Sequence, residues 1–252
     1  WRWSLQHSYD WANFGLSDQD LTRVGAGLVW QSRRREALIE LNQRELTGKD
    51  TGVRLGWSQW LDDHWFYQLG YNSWSADLPL RAYQAGMDAQ TLTASVRWKG
   101  DESHSASATM SAMELSDGNL RSSLGLGYQQ RLWGSAHHVT EGGISAYREN
   151  NSQPGGVYFN PKNQDSIGLS LRHDWTTWRR YEDSLTQRFT ASVARGSQSG
   201  YGSATGYDLG YQHEWKWDRW WQLNYGLGYG SHVYDGKREQ RRSVTVGLSG
   251  AF

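Results

Sequence analysis

Apolar and polar side chains alternate one by one through most of this chain. Val53, Leu55 and Trp57 alternate with Arg54, Gly56 and Ser58, and Trp65, Tyr67, Leu69 and Tyr71 with Gln68, Gly70 and Asn72. The same period recurs at Leu92-Ala94-Val96-Trp98, Leu124-Leu126-Tyr128, Ile167-Leu169-Leu171, Leu223-Tyr225-Leu227-Tyr229 and Val244-Val246-Leu248. A strand sends successive side chains to opposite faces, so each segment has one apolar face and one face of polar residues and glycine. No stretch holds the i, i+3, i+4, i+7 spacing through three helical turns. The pattern predicts an all-β chain.

Segment length separates a soluble sandwich from a membrane barrel. Sandwich strands are commonly about 5–6 residues, whereas a tilted strand needs roughly 9–11 to cross a bilayer. The alternating segments here run about 9–13 residues, as at 65–76 and 222–233. Gly125, Gly127, Gly168, Gly210, Gly226, Gly228 and Gly247 share the polar face, where small residues suit a wet lumen better than a packed core. The expected fold is a transmembrane antiparallel up-and-down β-barrel.

Short turn signals lie near residues 32–35, 62–64, 99–102, 133–136, 178–183 and 218–219. Longer connections lie near 13–20, 46–51, 77–88, 115–119, 149–165, 196–205 and 234–241. The two kinds alternate, which predicts about fourteen strands. Trp30, Trp60, Trp65, Trp98, Trp133, Trp175, Trp178, Trp217 and Trp220 flank the short turns. Indole prefers the membrane–water boundary, so this ring is expected to mark one bilayer surface. Bacterial barrels keep short turns in the periplasm. That predicts a periplasmic tryptophan belt, and an even strand number puts both termini on that side.

Composition narrows the field. The 252 residues include 16 Trp, 29 Gly and no Cys, with 26 basic and 26 acidic side chains. The mean hydropathy of −0.80 would suit disorder, but the aromatic content argues against it. No run approaches the roughly 18 apolar residues of a membrane helix, and the absent Cys excludes disulfides and thiolate sites. Zero net charge gives no electrostatic reason to expect nucleic acid. The start has no basic and apolar leader, so the chain is expected to be processed or cut from something longer.

The face opposite the apolar one carries the expected conduit lining: Arg23, Glu40, Arg44, Arg54, Trp74, Arg97, Arg121, Arg131, Glu141, Arg172, Asp174, Arg188, Asp208 and Glu214. Arg or Lys on the lipid side near the midplane would cost roughly 2–4 kcal/mol each. Arg–carboxylate ladders can equally brace a barrel wall. Mixed charge with Ser, Thr and aromatic faces suits a sugar polymer, and also a general diffusion porin. The eight His are scattered without metal-ligand spacing, and no cofactor, metal or catalytic residue is expected, although an outer-membrane hydrolase is a further alternative. Pro79, Arg81 and Tyr83 in one long loop and Tyr158, Phe159 and Pro161 in another are candidates for a gate. The last strand alternates cleanly to Phe252, resembling the C-terminal signal by which barrel assembly machinery recognises its clients.

Several stretches, in order, resemble the membrane domain of PgaA-type exopolysaccharide exporters, to which the PelB type is also similar. They are Pro79-Leu80-Arg81-Ala82 with Val96-Arg97-Trp98, Ser116-Asp117-Gly118-Asn119, Tyr158-Phe159-Asn160-Pro161, Trp178-Arg179-Arg180-Tyr181-Glu182 and Tyr234-Asp235-Gly236-Lys237-Arg238-Glu239. The similarity runs from about Leu28 to the end. It implies an outer-membrane pore that exports a biofilm exopolysaccharide: partially deacetylated poly-β-1,6-N-acetylglucosamine in the PgaA type, an amino-sugar-rich polymer in the PelB type. It also implies a periplasmic tetratricopeptide (TPR) region before residues 1–252 and a periplasmic-side lipoprotein partner, PgaB- or PelC-like. The resemblance also implies a barrel of about sixteen strands, so a first hairpin is expected to be missing or disordered here.

Overall fold

A computed structural model of the chain describes residues 2–13, 20–45, 49–75, 78, 80–217, 220–234 and 236–250; at 5–13, 20–23, 44–45, 49–50, 80 and 234 it describes the backbone only. Fourteen strands form one antiparallel sheet in chain order. They are β1 (Arg2–Asn13), β2 (Asp20–Gln31), β3 (Arg35–Glu45), β4 (Lys49–Trp60), β5 (Trp65–Asn72), β6 (Ala89–Lys99) and β7 (His104–Leu115). The series continues through β8 (Leu120–Gly134), β9 (His138–Asn151), β10 (Asn163–Arg180), β11 (Asp183–Gln198), β12 (Gly202–Trp217), β13 (Trp221–Tyr234) and β14 (Lys237–Gly250). One short helix, α1 (Leu80–Gln84), sits inside the long β5–β6 connection; the periodicity gave no sign of it, since five residues are too few to show a helical repeat.

The chain divides into two compact units: residues 1–99 with 107–126 and 148–164, and residues 100–106 with 127–147 and 165–252. In the first, register stacks the apolar positions into rungs. Leu28 opposes Ile39, Ile39 opposes Leu55, Leu55 opposes Tyr71 and Tyr71 opposes Leu92. One residue along, Gly27, Glu40, Arg54 and Asn72 form the next rung on the other face. Burial is the reverse of a soluble protein. Ile39 and Leu41 are 50 % and 59 % exposed, whereas Glu40 and Asn42 between and beside them are 2 % and 3 % exposed. Water would penalise such an apolar face, and acyl chains would not.

The second unit repeats the scheme. Ala191 opposes Leu209 and Leu209 opposes Tyr229, while Tyr211 opposes Leu227 and Leu227 opposes Val244. The alternate rungs pair Ser192 with Asp208, Gln212 with Gly226 and Gly226 with Thr245. Leu227 and Val244 are 62 % and 75 % exposed.

Two expected long loops are tight hairpins instead. Pairing runs to Gln198 opposite Gly202, and to Tyr234 opposite Lys237. Gly200, Gly202 and Gly236 hold φ of +87°, +78° and +71°, which lets the chain reverse at once. The polar composition of 196–205 and 234–241 reads as loop, yet these residues are strand ends that continue past bilayer length.

The two faces should respond oppositely to charge. Leu227→Arg should cost about 2–4 kcal/mol and Thr190→Arg under 1, measured by denaturant unfolding in lipid vesicles.

Candidate conduit wall and loop latch

The polar face begins with local devices that fix the turns. In the β4–β5 turn, the Asp62 carboxylate accepts hydrogen bonds from the amides of His64 (2.7 Å) and Trp65 (2.8 Å). In the β6–β7 turn, Asp101 accepts from the Ser103 hydroxyl (2.7 Å) and amide and from the His104 amide (3.2 Å). These donors hold both carboxyls below the usual range: chiefly the Trp65 amide for Asp62, and the Ser103 hydroxyl for Asp101. Beside the first turn, Arg34 pairs with Asp63 at 3.0 Å.

In the second unit, β10 and β11 carry a compact charge cluster. Asp174 accepts two hydrogen bonds from Arg172 (2.5 and 3.0 Å) and two from Arg188 (2.9 and 3.0 Å). Arg172 also lies 3.6 Å from Glu141. Asp208 pairs with His232 at 2.9 Å and accepts a hydrogen bond from Ser192 at 3.4 Å. A recess of about 240 Å³ includes Glu141, Ser170, Arg172, Ser192 and Asp208 in its lining. Glu214 pairs with Lys216 two residues on, at 3.0 Å. Five expected wall residues are thus joined into two networks, and both carboxylate oxygens of Asp174 are spent on neighbours rather than left for a ligand.

In the first unit, Glu40 is buried opposite Arg54, and Arg97 stands exposed near the end of β6. Arg121 pairs with Glu149 at 3.4 Å and donates to Asn151 at 3.1 Å. Arg131, in the second unit, buries its Nε without a hydrogen-bond partner among the described residues. The side chains of Arg23 and Arg44 lie outside the described residues, as do Pro79 and Phe252.

Two of the expected belt residues, Trp60 and Trp178, fall on the other face of their strands. Trp30 stacks on Trp57 (centroids 6.1 Å apart), Trp65 packs on Trp98 (6.5 Å) and Trp175 stacks on His138 (5.8 Å). Trp133 also stacks on His138, at 5.4 Å, Trp217 stacks on Trp215 at 5.8 Å, and Trp220 is exposed in the β12–β13 turn. Trp60 does not join the others. It opposes Phe66, which opposes Arg97, three positions from the Trp57–Leu69 rung and therefore on the polar face. Trp178 likewise falls in phase with Asp174, not Trp175. Proximity to a turn located these rings; only strand phase assigns their face.

Both candidate gate loops enter one buried cluster in the first unit. It contains Leu78, Ala82, Tyr83, Met87, Ala89, Met113, Leu115 and Tyr158. Ala89 is in phase with Thr91, Thr93, Ser95 and Arg97, so the cluster lies on the polar side of β6. Trp74 starts this fold-over. A Cβ on Gly52 would come within 2.7 Å of the Trp74 ring and 2.8 Å of Asn42 Oδ1, so the ring lies directly on the bare backbone of β4. Tyr83 donates to the Ser75 carbonyl at 2.7 Å. Arg81 is exposed, Phe159 half-buried and Pro161 buried.

The latch between the loops is the β7–β8 turn, Ser116 to Asn119. Gly118 at φ +85° turns the backbone so that neighbouring side chains reach both ways. Ser116 donates its amide to the Asp88 carbonyl (2.9 Å), and its Oγ accepts from the Asp88 amide (3.1 Å). Asn119, wholly buried, donates to Tyr158 Oη (2.9 Å) and Asn151 Oδ1 (3.0 Å) and accepts from the Gln153 amide (2.9 Å). Tyr158 donates to Asp117 at 3.1 Å, and Asn151 donates to the Pro161 carbonyl at 2.8 Å. Burial pushes the Tyr158 phenol up; Asn119 pulls it down, and the Asp117 carboxylate adds to the rise. Asn119 and Asn151 were not legible as site residues, because an asparagine in a turn motif reads as turn chemistry.

A sheet with this inverted burial is the transmembrane part of an outer-membrane β-barrel. The whole chain, residues 1–252, matches the family described as the PgaA membrane beta barrel domain, and the chain belongs to that family. It is 29 % identical over 230 residues to the poly-beta-1,6-N-acetyl-D-glucosamine export protein of Escherichia coli K12, covering 90 % of this chain and 28 % of that protein. The protein of the same name from E. coli O157:H7 matches with the same figures. A solved structure titled "Bacterial polysaccharide outer membrane secretin" superposes with a TM-score of 0.92 at 27 % identity, covering 99 % of this chain and 85 % of that one. The chain thus spans little more than a quarter of the length of the curated relatives it matches.

Asn119→Ala should destabilise the latch by about 1–3 kcal/mol, seen as faster amide exchange across residues 151–162 with strand protection unchanged. Because the folded phenol titrates above its ordinary value, the Tyr158 contribution is complete below about pH 10 and is lost as pH rises through the raised value. Exchange of the same loop should therefore accelerate in alkali, and that step should vanish in Tyr158→Phe.

Proposed function

We propose that this domain is a passive outer-membrane conduit through which a biofilm exopolysaccharide leaves the cell, the two latched loops acting as its gate. Family membership over the entire chain is the observation that carries this reading. The relatives it matches are export proteins for poly-β-1,6-N-acetyl-D-glucosamine, and a polymer of that class, partially deacetylated or Pel-like, is the proposed cargo. A polar face with paired charges suits the task. Arg172 and Arg188 are balanced by Asp174 and Glu141, leaving a hydrogen-bonding surface without a strong field to trap a moving chain.

The domain performs no chemistry in this reading: synthesis pushes the polymer, and the wall lets it slide. A helical-repeat region upstream would receive the polymer, together with a periplasmic-side lipoprotein, and Phe252 would serve barrel assembly. The placement of Trp74, Tyr83 and Tyr158 on or beside the polar side of the strands supports the reading of these loops as a gate.

Deleting residues 150–163 should raise single-channel conductance severalfold in planar bilayers; unchanged conductance would remove the gate. Liposome swelling separates conduit from diffusion porin, since a gated exporter should admit mono- and disaccharides slowly until that loop is deleted.

A further inference from the structure

The polar face around Trp60 carries a feature that the charge pairs do not explain. At the short-turn end of the first unit, Trp60 and Phe66 pack with ring centroids 5.1 Å apart. The Arg97 guanidinium carbon lies 5.4 Å from the Trp60 centroid and 5.2 Å from that of Phe66. Cation–π attraction holds the guanidinium against the rings. Elsewhere on this face, Arg121, Arg172 and Arg188 spend their donors on Glu149, Asn151 and Asp174. Among the described residues Arg97 has neither an acid nor a hydrogen-bond acceptor; it remains exposed and keeps five fixed N–H donors.

We propose that Trp60, Phe66 and Arg97 form a subsite for one neutral, N-acetylated pyranose ring at the short-turn end of the wall. The proposal rests on the conduit reading and names which unit of the polymer is held. A pyranose with equatorial substituents presents a flat face of axial C–H groups, which carry partial positive charge. The negative face of an aromatic ring attracts them. Ring hydroxyls and the acetamide carbonyl accept hydrogen bonds, matching a guanidinium that can only donate. An ammonium in place of the acetamide would meet the fixed charge of Arg97 with no carboxylate paired to it. The subsite therefore discriminates against deacetylated units. On the short-turn side, it would be the place where acetylated stretches of an incoming chain are first gripped.

Isothermal titration of the detergent-solubilised full-length protein tests this, with the N-acetylglucosamine pentamer and the glucosamine pentamer as probes. The acetylated pentamer should bind at least tenfold more tightly than the cationic one. Trp60→Ala should weaken it by about three- to tenfold, Trp60→Phe should retain most of the affinity, and Trp65→Ala, on the opposite face, should leave it unchanged. Arg97→Gln should narrow the preference between the two pentamers. Retained heat-modifiable migration on gels shows that each variant is folded. Equal binding of both pentamers, or unaltered affinity in folded Trp60→Ala, overturns the subsite. Neither result touches the conduit, which stands or falls on the swelling assay; rapid disaccharide flux there would sink the conduit and leave the binding result standing.

Discussion

Backbone amides have no water to turn to inside a bilayer, and the rest of this structure follows from that. Each unpaired N–H or C=O in hydrocarbon costs several kcal/mol, so the strands must ladder continuously with their neighbours. The fourteen strands do so in simple sequence order. Once the ladder is obligatory, the two-residue period sorts the side chains. One set meets lipid; the other, Glu40, Asn42, Asp174 and Asp208 among it, faces away from lipid. Glycine on that second face serves close approach, as where Trp74 lies on Gly52.

This division lets buried polarity do what a hydrophobic core does elsewhere. On β10 and β11, two guanidiniums clasp one carboxylate with four hydrogen bonds. Removing Asp174 would leave the Arg188 guanidinium without its carboxylate and Arg172 with Glu141 alone. The loop latch combines both kinds of packing. Leu78, Ala82, Met87, Met113 and Leu115 supply apolar contact, and Asn119 fixes the geometry through directional bonds. The unit is tied to the strands at several points: Trp74 on Gly52 of β4, Ala89 of β6, Met113 and Leu115 of β7, and Asn151 of β9.

The tryptophans show why a residue type is a weaker guide than its phase. Indoles at a strand end can anchor the outer surface or line the inner one, and both occur here within a few residues, at Trp57 and Trp60. The outer set stacks on aromatic neighbours, whereas the inner one meets an arginine.

Strand identity, number and facing were legible in the chain because a period of two survives any tertiary context: a strand with one greasy side must show it. The short turns were legible through Asp62, Asp101 and their neighbours, whose side chains satisfy the turn amides locally. The hairpins at Gly200 and Gly236 look like long loops in the sequence, because a run of polar residues reads the same in a strand end as in a loop. The union of Asn119, Asn151 and Tyr158 and the meeting of Trp60, Phe66 and Arg97 came only from register and folding-back. Local chemistry sets which face a residue occupies along its own strand, but which side chains touch depends on contacts between segments tens of residues apart, and no local pattern encodes those.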